Sequence, residues 1–282
     1  MVRRRPGRPY LAGAPLLVAH RGGARLAPEN TLVAFRSAVE EWGADMLELD
    51  VRLSKDGEVM VIHDETVDRT TDGTGRVADF TRDELQSLDA GYRFMDEAGE
   101  PSFRGTGVTI PTLGELMDAC PTVWLNIEAK EAAVARRKVE LVRRTDDTHR
   151  VLVAAEHEAN RVAARGYEGP WGASRRHCIL FWLAHHLPGG GPYTPPVDAL
   201  QIPERWKGVR VLTPRLVQEA HRRNIPVHVW TVDDPDDMHR LLDWGVDAIQ
   251  SDRPDILSDV LVERAGRPLP PCRRPAADGA AW

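Results

Sequence analysis

Cysteine, aromatic side chains and long apolar runs are all scarce in this sequence. Three widely spaced cysteines in 282 residues form neither a disulfide framework nor a paired zinc-binding spacing, and they are typical of a reducing compartment. Residues 178–184 form the longest internal apolar run, which is far too short to span a bilayer. An apolar patch at residues 11–19 is broken by Gly13 and Pro15, and no signal-peptide cleavage site follows it. We therefore expect a cytoplasmic protein without stable membrane insertion.

An excess of positive charge is also missing. The 37 Lys and Arg residues are outnumbered by 43 Asp and Glu residues, which gives a net charge of −6 and argues against nucleic acid as the main partner. The apolar fraction of 42% is ordinary for a globular protein. The length suits a single α/β barrel, since such barrels form one domain from about 250 residues. We place this domain at residues 14–264.

Strand-like and helix-like segments alternate along most of the chain, which predicts β/α units around a parallel sheet. Residues 16–19 form a short apolar run, as expected of a strand buried on both faces. Residues 46–53 alternate with a period of two, so Glu48 and Asp50 share one face. Asn30 is predicted to cap a helix that runs to residue 42. Further strands are expected at residues 123–127, 151–154, 171–174, 199–202, 227–232 and 248–250, with a helix at residues 178–186.

Two segments depart from this alternation. Residues 64–108 are polar and rich in glycine apart from one short helical stretch, and a connection of this length in a compact domain is usually functional or an inserted subdomain. We interpret it as an insertion after the second strand. Residues 265–282 are rich in Pro, Arg, Ala and Gly without periodicity, and we expect a disordered tail there.

Three acidic residues stand at or near the ends of predicted strands. Glu48 and Asp50 lie on one strand and Glu128 follows another, and the carboxyl ends of barrel strands meet at one face of the barrel. Three converging carboxylates would repel one another unless a cation lies between them, and oxygen ligands favour Mg2+ or Ca2+, with Mn2+ also possible. The alternative is that Glu48 and Asp50 form a solvent-facing edge of the strand.

Two histidines occupy corresponding positions. His20 ends the first strand and His63 ends the extended run before the insertion. A pair of imidazoles can act as general base and general acid near neutral pH. A single histidine at a strand end is more often structural, but two beside a carboxylate trio favour catalysis. The sequence does not assign the acid and the base.

Three further residues are candidates for binding substrate. Arg21 and Lys130 follow His20 and Glu128 closely, and fixed cations stabilise the negative charge that develops on a substrate oxygen during a reaction. Salt bridges to the acidic trio are the alternative for both. Trp230 lies near the end of the strand at residues 227–232, where it is either a packing residue of the rim or a wall for part of the substrate.

Motifs in this order along the chain resemble those of the glycerophosphodiester phosphodiesterase family, whose barrel is similar to that of phospholipase C-like phosphodiesterases. The matching strings are His20-Arg21-Gly22, Pro28-Glu29-Asn30-Thr31, Glu48-Leu49-Asp50-Val51, Lys55-Asp56-Gly57, His63-Asp64, Ile110-Pro111-Thr112-Leu113, Asn126-Ile127-Glu128-Ala129-Lys130, Trp230-Thr231-Val232, Gly245-Val246-Asp247 and Ser251-Asp252-Arg253-Pro254. Agreement of many ordered motifs is far more specific than one short pattern.

This resemblance implies a (β/α)8 barrel with a small inserted subdomain after His63. It implies hydrolysis of glycerophosphodiesters to glycerol 3-phosphate and an alcohol, with His20 and His63 catalytic and the three carboxylates binding a divalent metal. Arg21 and Lys130 would contact the phosphate. Residues 154–157 and 171–196 depart from the family pattern, and both segments would shape the alcohol pocket.

Two other functions are compatible with the same residues. A lysophospholipase D or sphingomyelinase D would share the barrel, the histidines and the carboxylates, and would also need an exposed apolar approach to lipid. Residues 178–187 are the candidate for that approach, although burial of a helix explains them equally well. A non-catalytic phosphodiester-binding protein is the remaining alternative, and it should have lost a histidine or a metal ligand, whereas this sequence retains all of them.

Overall fold

Parallel strands form a closed ring in the computed structural model, which describes residues 4–6, 13 and 15–274. The strands are β1 (Leu16–His20), β2 (Met46–Leu53), β3 (Val59–Val61), β4 (Trp124–Ala129), β5 (Val151–Ala154), β6 (Leu200–Pro203), β7 (Arg205–Trp206), β8 (Val209–Arg210), β9 (Val227–Trp230) and β10 (Ala248–Ser251). The helices are α1 (Leu32–Glu40), α2 (Arg82–Gln86), α3 (Leu113–Ala119), α4 (Ala132–Arg144), α5 (Glu158–Ala163), α6 (Arg175–His185), α7 (Pro214–His221), α8 (Pro235–Asp243) and α9 (Pro254–Ala265).

The ring contains the strand order β5-β4-β2-β1-β10-β9-β6. A two-residue segment closes it, because Trp171 pairs in parallel with Val153 of β5 and Gly172 pairs in parallel with Ala199, next to β6. This segment takes the place of the eighth strand of the barrel, so the predicted (β/α)8 fold is confirmed. The strand predicted at residues 171–174 is therefore only two residues long, and the helix after it begins at Arg175, three residues earlier than expected.

Alternate residues of each strand face opposite sides of the ring. Residues such as Leu17 and Leu47 pack outward in a large apolar core that includes the helices. Their neighbours Leu16, Val18 and Met46 pack inside the ring in a small separate cluster. Because the period is two, the inward face of β1 and β2 continues from these apolar residues to polar ones at the carboxyl ends of the strands.

The segment after β3 has an apolar cluster of its own. Val67, Val77 and Leu85 pack there against Met60 and Ile62 of the chain that enters the segment. A short 3-10 helix at Val77–Asp79 and α2 lie within it. The segment predicted as an insertion at about 64–108 therefore has its own apolar cluster. The division of the chain into a barrel at residues 14–264 and this insertion stays a prediction, and residue 14 itself lies outside the described residues.

The chain after α9 differs in part from the predicted disordered tail. Gly266 ends the helix in a left-handed conformation with φ of 62°, and Arg267 Nη2 then donates to Asp45 Oδ1 at 2.8 Å. Cys272 donates its backbone N–H to the carbonyl of Glu41 at 3.1 Å. These contacts hold residues 266–274 against the barrel, a result that composition alone does not reveal. Residues 275–282 lie outside the described residues.

None of the helices in the described part of the chain is both long and apolar enough to cross a membrane.

Candidate active site

A pocket of about 590 Å3 opens at the carboxyl ends of the barrel strands. The strand ends place polar side chains there, as the inward-facing period predicts. All eight residues singled out from the sequence line this pocket, namely His20, Arg21, Glu48, Asp50, His63, Glu128, Lys130 and Trp230. The structure therefore brings the predicted set together, while the roles of its members stay predictions.

The three carboxylates meet because of the strand register. Asp50 of β2 lies directly opposite Glu128 of β4, and Glu48 lies two residues earlier on the same face of β2. One oxygen atom from each of the three side chains lies within 4.8 Å of the others. Glu48 and Asp50 are buried, and Glu128 is partly exposed. This all-oxygen group is a possible site for a hard divalent cation.

The electrostatics of the trio show why a cation suits it. Burial, together with the negative charge of Asp50, raises the pKa of Glu48 to about 7. Burial also tends to raise the pKa of Asp50, but Lys130 and Arg21 outweigh it and lower that pKa to about 2. Lys130 Nζ lies 2.8 Å from Asp50 Oδ1 and 2.9 Å from Glu128 Oε2. The two cations thus compensate part of the negative charge, and Glu48 remains the carboxylate that additional positive charge would stabilise.

His20 is oriented by an acidic residue at the end of β10. His20 Nδ1 lies 2.7 Å from Asp252 Oδ1, and because a carboxylate accepts hydrogen bonds, Nδ1 is the donor. The other ring nitrogen, Nε2, lies 3.8 Å from Glu48 Oε2. Burial alone lowers the pKa of His20, but the hydrogen bond to Asp252 and the charge of Glu48 outweigh burial and raise it. The imidazole is therefore fixed with Nε2 towards the carboxylate trio.

His63 is held in a similar way from the insertion side. His63 Nδ1 lies 2.6 Å from Asp64 Oδ1, and Arg69 Nε donates to Asp64 Oδ2 at 2.6 Å. Arg69 also forms a two-pronged ion pair with Glu29, with both N–O distances at 2.7 Å. The insertion therefore supplies a guanidinium that ties the second histidine to the loop after β1.

Arg21 links the carboxylate trio to Glu29, the residue that binds Arg69 of the insertion. Its Nη1 donates to Glu29 Oε1 at 2.9 Å, and its Nε is 3.2 Å from Asp50 Oδ2. Burial opposes its charge, but the neighbouring carboxylates, Asp50 first, raise its pKa. The backbone of Arg21 is left-handed, with φ of 51°, and the following Gly22 also has positive φ with its α-carbon close to α1. A side chain at Gly22 would collide with Ala34, so the tight turn that presents Arg21 requires glycine.

Asn30 does not cap the first helix as predicted. Thr31 is the N-cap, and its Oγ1 accepts from the backbone N–H of Ala34. Asn30 instead has φ of 58° and bonds twice to Asp50, donating from Nδ2 to Oδ2 at 3.1 Å and accepting at Oδ1 from the backbone N–H at 3.3 Å. Asparagine is among the few residues that tolerate this backbone conformation, and here it orients one of the three carboxylates.

The sequence interpretation missed several of these supporting residues. Asp252, Asp64 and Glu29 all lie in the quoted motifs, within three residues of a strand or helix end, and that position was the available signal. Arg69 lies in the insertion among polar residues, and no periodicity distinguishes it.

Deeper polar groups complete the inner part of the pocket. Asn126 and Gln250 line it, and Asn126 Oδ1 and Gln250 Nε2 are buried without a hydrogen-bond partner among the described residues. His228 lies beneath, fully buried, and burial lowers its pKa to about 4. It is therefore neutral at physiological pH. Trp230, two residues further along β9, faces the same side of the strand and reaches the pocket wall.

The outer part of the pocket is apolar. Ile179, Trp182 and Leu183 of α6 line one side, and Trp206 and Val209 of the β7–β8 hairpin line another. The α6 part of this wall lies within residues 171–196, the segment that the sequence analysis expects to shape the alcohol pocket, whereas the sequence did not place the hairpin part at the site.

Comparison with known proteins agrees with the geometry. The model of the glycerophosphoryl diester phosphodiesterase family matches residues 20–161 and 191–256. A glycerophosphodiester phosphodiesterase of Caldanaerobacter subterraneus subsp. tengcongensis is 34% identical over 266 residues, covering 89% of this chain and 99% of that protein.

Two solved structures have the same fold. The crystal structure of a glycerophosphodiester phosphodiesterase from Agrobacterium tumefaciens matches with a TM-score of 0.70 and 28% identity, covering 86% of this chain and 99% of that one. A phosphodiesterase of Oleispira antarctica, solved in complex with the product sn-glycerol-3-phosphate, matches with a TM-score of 0.69 and 26% identity, covering 88% and 97%. The predictions of family and of enzyme class, a phosphoric diester hydrolase, are confirmed: the chain belongs to the glycerophosphoryl diester phosphodiesterase family.

Proposed function

We propose that this protein hydrolyses glycerophosphodiesters to glycerol 3-phosphate and an alcohol in a metal-dependent reaction. The observation that carries the proposal is the meeting of three carboxylates and two carboxylate-bound histidines in one pocket. Membership of the family and the product bound to the relative from Oleispira antarctica support the same reaction.

Glu48, Asp50 and Glu128 would hold one divalent cation, Mg2+ or Ca2+, with Mn2+ also suitable. The close oxygen atoms and the raised pKa of Glu48 fit such an ion. When bound, the ion supplies Lewis-acid polarisation of the phosphate and lowers the pKa of a coordinated hydroxyl or water.

The two histidines exchange protons with the substrate. Each uses Nδ1 for its carboxylate, Asp252 or Asp64, which leaves Nε2 for catalysis. One removes the proton from the attacking oxygen and the other protonates the departing alkoxide. The attacking oxygen belongs to water or to the 2-hydroxyl of the glycerol, and attack by the hydroxyl gives a cyclic phosphate that water then opens.

Arg21 and Lys130 stabilise the negative charge of the phosphate during the displacement. Both are held by the carboxylates of the site, so they are positioned before substrate arrives and need little reorganisation. Trp230 forms a wall for the glycerol part at the pocket edge.

The first test measures release of glycerol 3-phosphate from a panel of soluble glycerophosphodiesters. We expect EDTA to abolish release and Mg2+, Ca2+ or Mn2+ to restore it. If folded protein supplied with metal released no glycerol 3-phosphate from any of the diesters, the proposal would be contradicted.

The histidine roles are tested with His20→Ala and His63→Ala, each expected to lose at least about 100-fold in turnover. His149→Ala, at an exposed histidine outside the pocket, is the matched control. A substrate with a p-nitrophenol leaving group separates the roles, because that group departs without protonation: the variant that lacks the general acid should recover activity on it. Full activity of both variants on an alkyl diester would contradict the assignment.

A second candidate function is hydrolysis of lysophospholipids, and the apolar outer wall of the pocket is the observation in its favour. Ile179, Leu183 and Trp206 offer apolar surface that a small polar alcohol would leave unused, whereas an acyl chain would bury it. Release of choline from lysophosphatidylcholine, without activity on soluble diesters, would establish this reaction.

We also propose a cytoplasmic location. The cysteines Cys120, Cys178 and Cys272 are all free, which suits a reducing compartment. Fractionation of cells that produce the full chain tests it, and recovery outside the cytoplasm would contradict it.

A further inference from the structure

Exposed apolar side chains are concentrated around the mouth of the pocket. Six of the ten large hydrophobic side chains that are exposed in the described residues belong to α6, to the second residue after its end, and to the β7–β8 hairpin. Their exposed fractions range from 39% to 56%. We call this group the apolar rim: Ile179, Leu180, Leu183, Leu187, Trp206 and Val209.

The rim is one continuous surface. Ile179, Leu183 and Leu187 are spaced by four residues and therefore share one side of α6 and its end. The hairpin lies beside the start of this helix, because the guanidinium of Arg175 stacks over the ring of Trp206 at 4.4 Å. Both elements line the same pocket, so the apolar rim borders the active site. A contiguous exposed patch of this kind marks an interaction surface.

Positive charge accompanies the rim in a chain whose net charge is −6. The α6 segment and the hairpin carry the cations Arg175, Arg176, Arg205, Lys207 and Arg210. Two acidic residues pair with this region: Glu204 beside the hairpin lies 2.9 Å from Arg240 and 3.3 Å from Arg210, and Glu156 lies 3.6 Å from Arg175. The five cations outnumber these two carboxylates. The rim is thus locally cationic on an acidic protein.

We propose that the apolar rim docks on the surface of an anionic lipid bilayer. Apolar side chains with surrounding Lys and Arg are what binding in the plane of such a surface requires, and tryptophan favours the interface between headgroups and acyl chains. A second copy of the chain is a poorer occupant, because the isologous contact of a two-fold dimer would bring these cations together. Docking in this orientation turns the mouth of the pocket towards lipid.

Sedimentation of the full chain with vesicles tests the proposal without reference to catalysis. We expect stronger binding to vesicles of phosphatidylcholine and phosphatidylglycerol, in a roughly 7:3 mixture, than to pure phosphatidylcholine, and weaker binding at high salt. The double variant Leu180→Gln/Leu187→Gln should bind at least about tenfold more weakly. Arg176→Gln should lose about fivefold, as expected for one cation near an anionic surface.

Matched controls use exposed residues elsewhere on the protein. Leu269→Gln controls for the loss of exposed leucine and Arg136→Gln for the loss of exposed arginine, and both should bind vesicles like the parent protein. Leu180 and Leu187 do not line the pocket, so their variant should keep its turnover of soluble diesters. Failure of the catalytic proposal would leave these binding results unchanged.

Three outcomes would overturn the proposal. They are equal sedimentation with neutral and anionic vesicles, unchanged binding by the two rim variants, and a concentration-dependent dimer in light scattering that the rim variants abolish.

Discussion

A fully buried lysine lies behind the carboxylate trio, and its replacement gives a measurable prediction. Lys138 of α4 has no exposed surface, and its Nζ donates to the carbonyl of Ile127 at 2.6 Å and to that of Ala154 at 3.4 Å. Burial lowers its pKa to about 7, against the opposing charge of Glu128. We expect Lys138→Met to change how the stability of the protein depends on pH.

The magnitude follows from proton linkage. The pKa of Lys138 falls from 10.5 in the unfolded chain to about 7 in the folded protein. At 1.36 kcal/mol per pKa unit, this fall lowers the free energy of unfolding by about 5 kcal/mol at low pH. Between these two values the unfolded chain holds the extra proton, so stability rises with pH. Below pH 7 both states are protonated and the full cost applies. Methionine carries no charge, so it adds no such pH dependence. The substitution also removes two hydrogen bonds of Lys138, and this loss of about 1–3 kcal/mol for each bond is the same at every pH.

Urea unfolding of Lys138→Met and the parent protein at pH 7 and pH 9.5, with EDTA in every sample, measures this difference. We expect the parent protein to gain about 3 kcal/mol relative to the variant between the two pH values. Other titrating groups are common to both proteins and cancel. Lys55→Met, at an exposed lysine, reports the effect of losing a surface lysine. A difference between variant and parent that stays constant within about 1 kcal/mol across this window would refute the reasoning.

Three further predictions concern the site. Asp252→Asn removes the carboxylate that helps to raise the pKa of His20. We expect steady-state kinetics to give a kcat about 10–100-fold lower with KM little changed. An unaltered kcat would exclude a role of Asp252 in positioning His20. Adding Mg2+ or Ca2+ at about 100 times its Kd should stabilise the parent protein by about 2.7 kcal/mol in thermal unfolding and leave Glu128→Gln nearly unaffected. Equal stabilisation of the two proteins would contradict the metal site. Gly22→Ala should lose at least about 2 kcal/mol in urea unfolding, because φ is +84° and the new Cβ would lie 2.8 Å from that of Ala34; unchanged stability would show that the turn relaxes.

The sequence predicted the inward-facing residues well because strand periodicity is local. The alternation through β2 fixes that Glu48 and Asp50 share a face, and apolar neighbours on the other face fix that the strand is buried. In the ring, β4 lies beside β2 in the register that pairs Asp50 with Glu128. The barrel therefore converts a pattern readable in one strand into a cluster of three carboxylates.

The supporting contacts could not be read in this way because they depend on distances between distant segments. Arg69 reaches Glu29 across 40 positions in the chain, and Asp252 reaches His20 across 232. The sequence favours Asn30 as the helix cap because asparagine is a good N-cap, but Thr31, which also caps helices well, occupies that position. Which of two adjacent polar residues caps a helix is decided by the neighbouring strand, here by the carboxylate of Asp50.

The apolar rim shows the same limit at the level of a whole helix. In α6, Phe181 and Ala184 are buried while Ile179, Leu180 and Leu183 are exposed, so apolar residues lie on both sides and no single hydrophobic face marks the buried one. Burial explained the apolar run at residues 178–187 as well as lipid contact did. The barrel resolves this, because only one side of α6 can pack on the ring and the other must face the pocket mouth and solvent. A helix that keeps large apolar side chains on its exposed side departs from the usual amphipathic pattern, and here that side borders the active site.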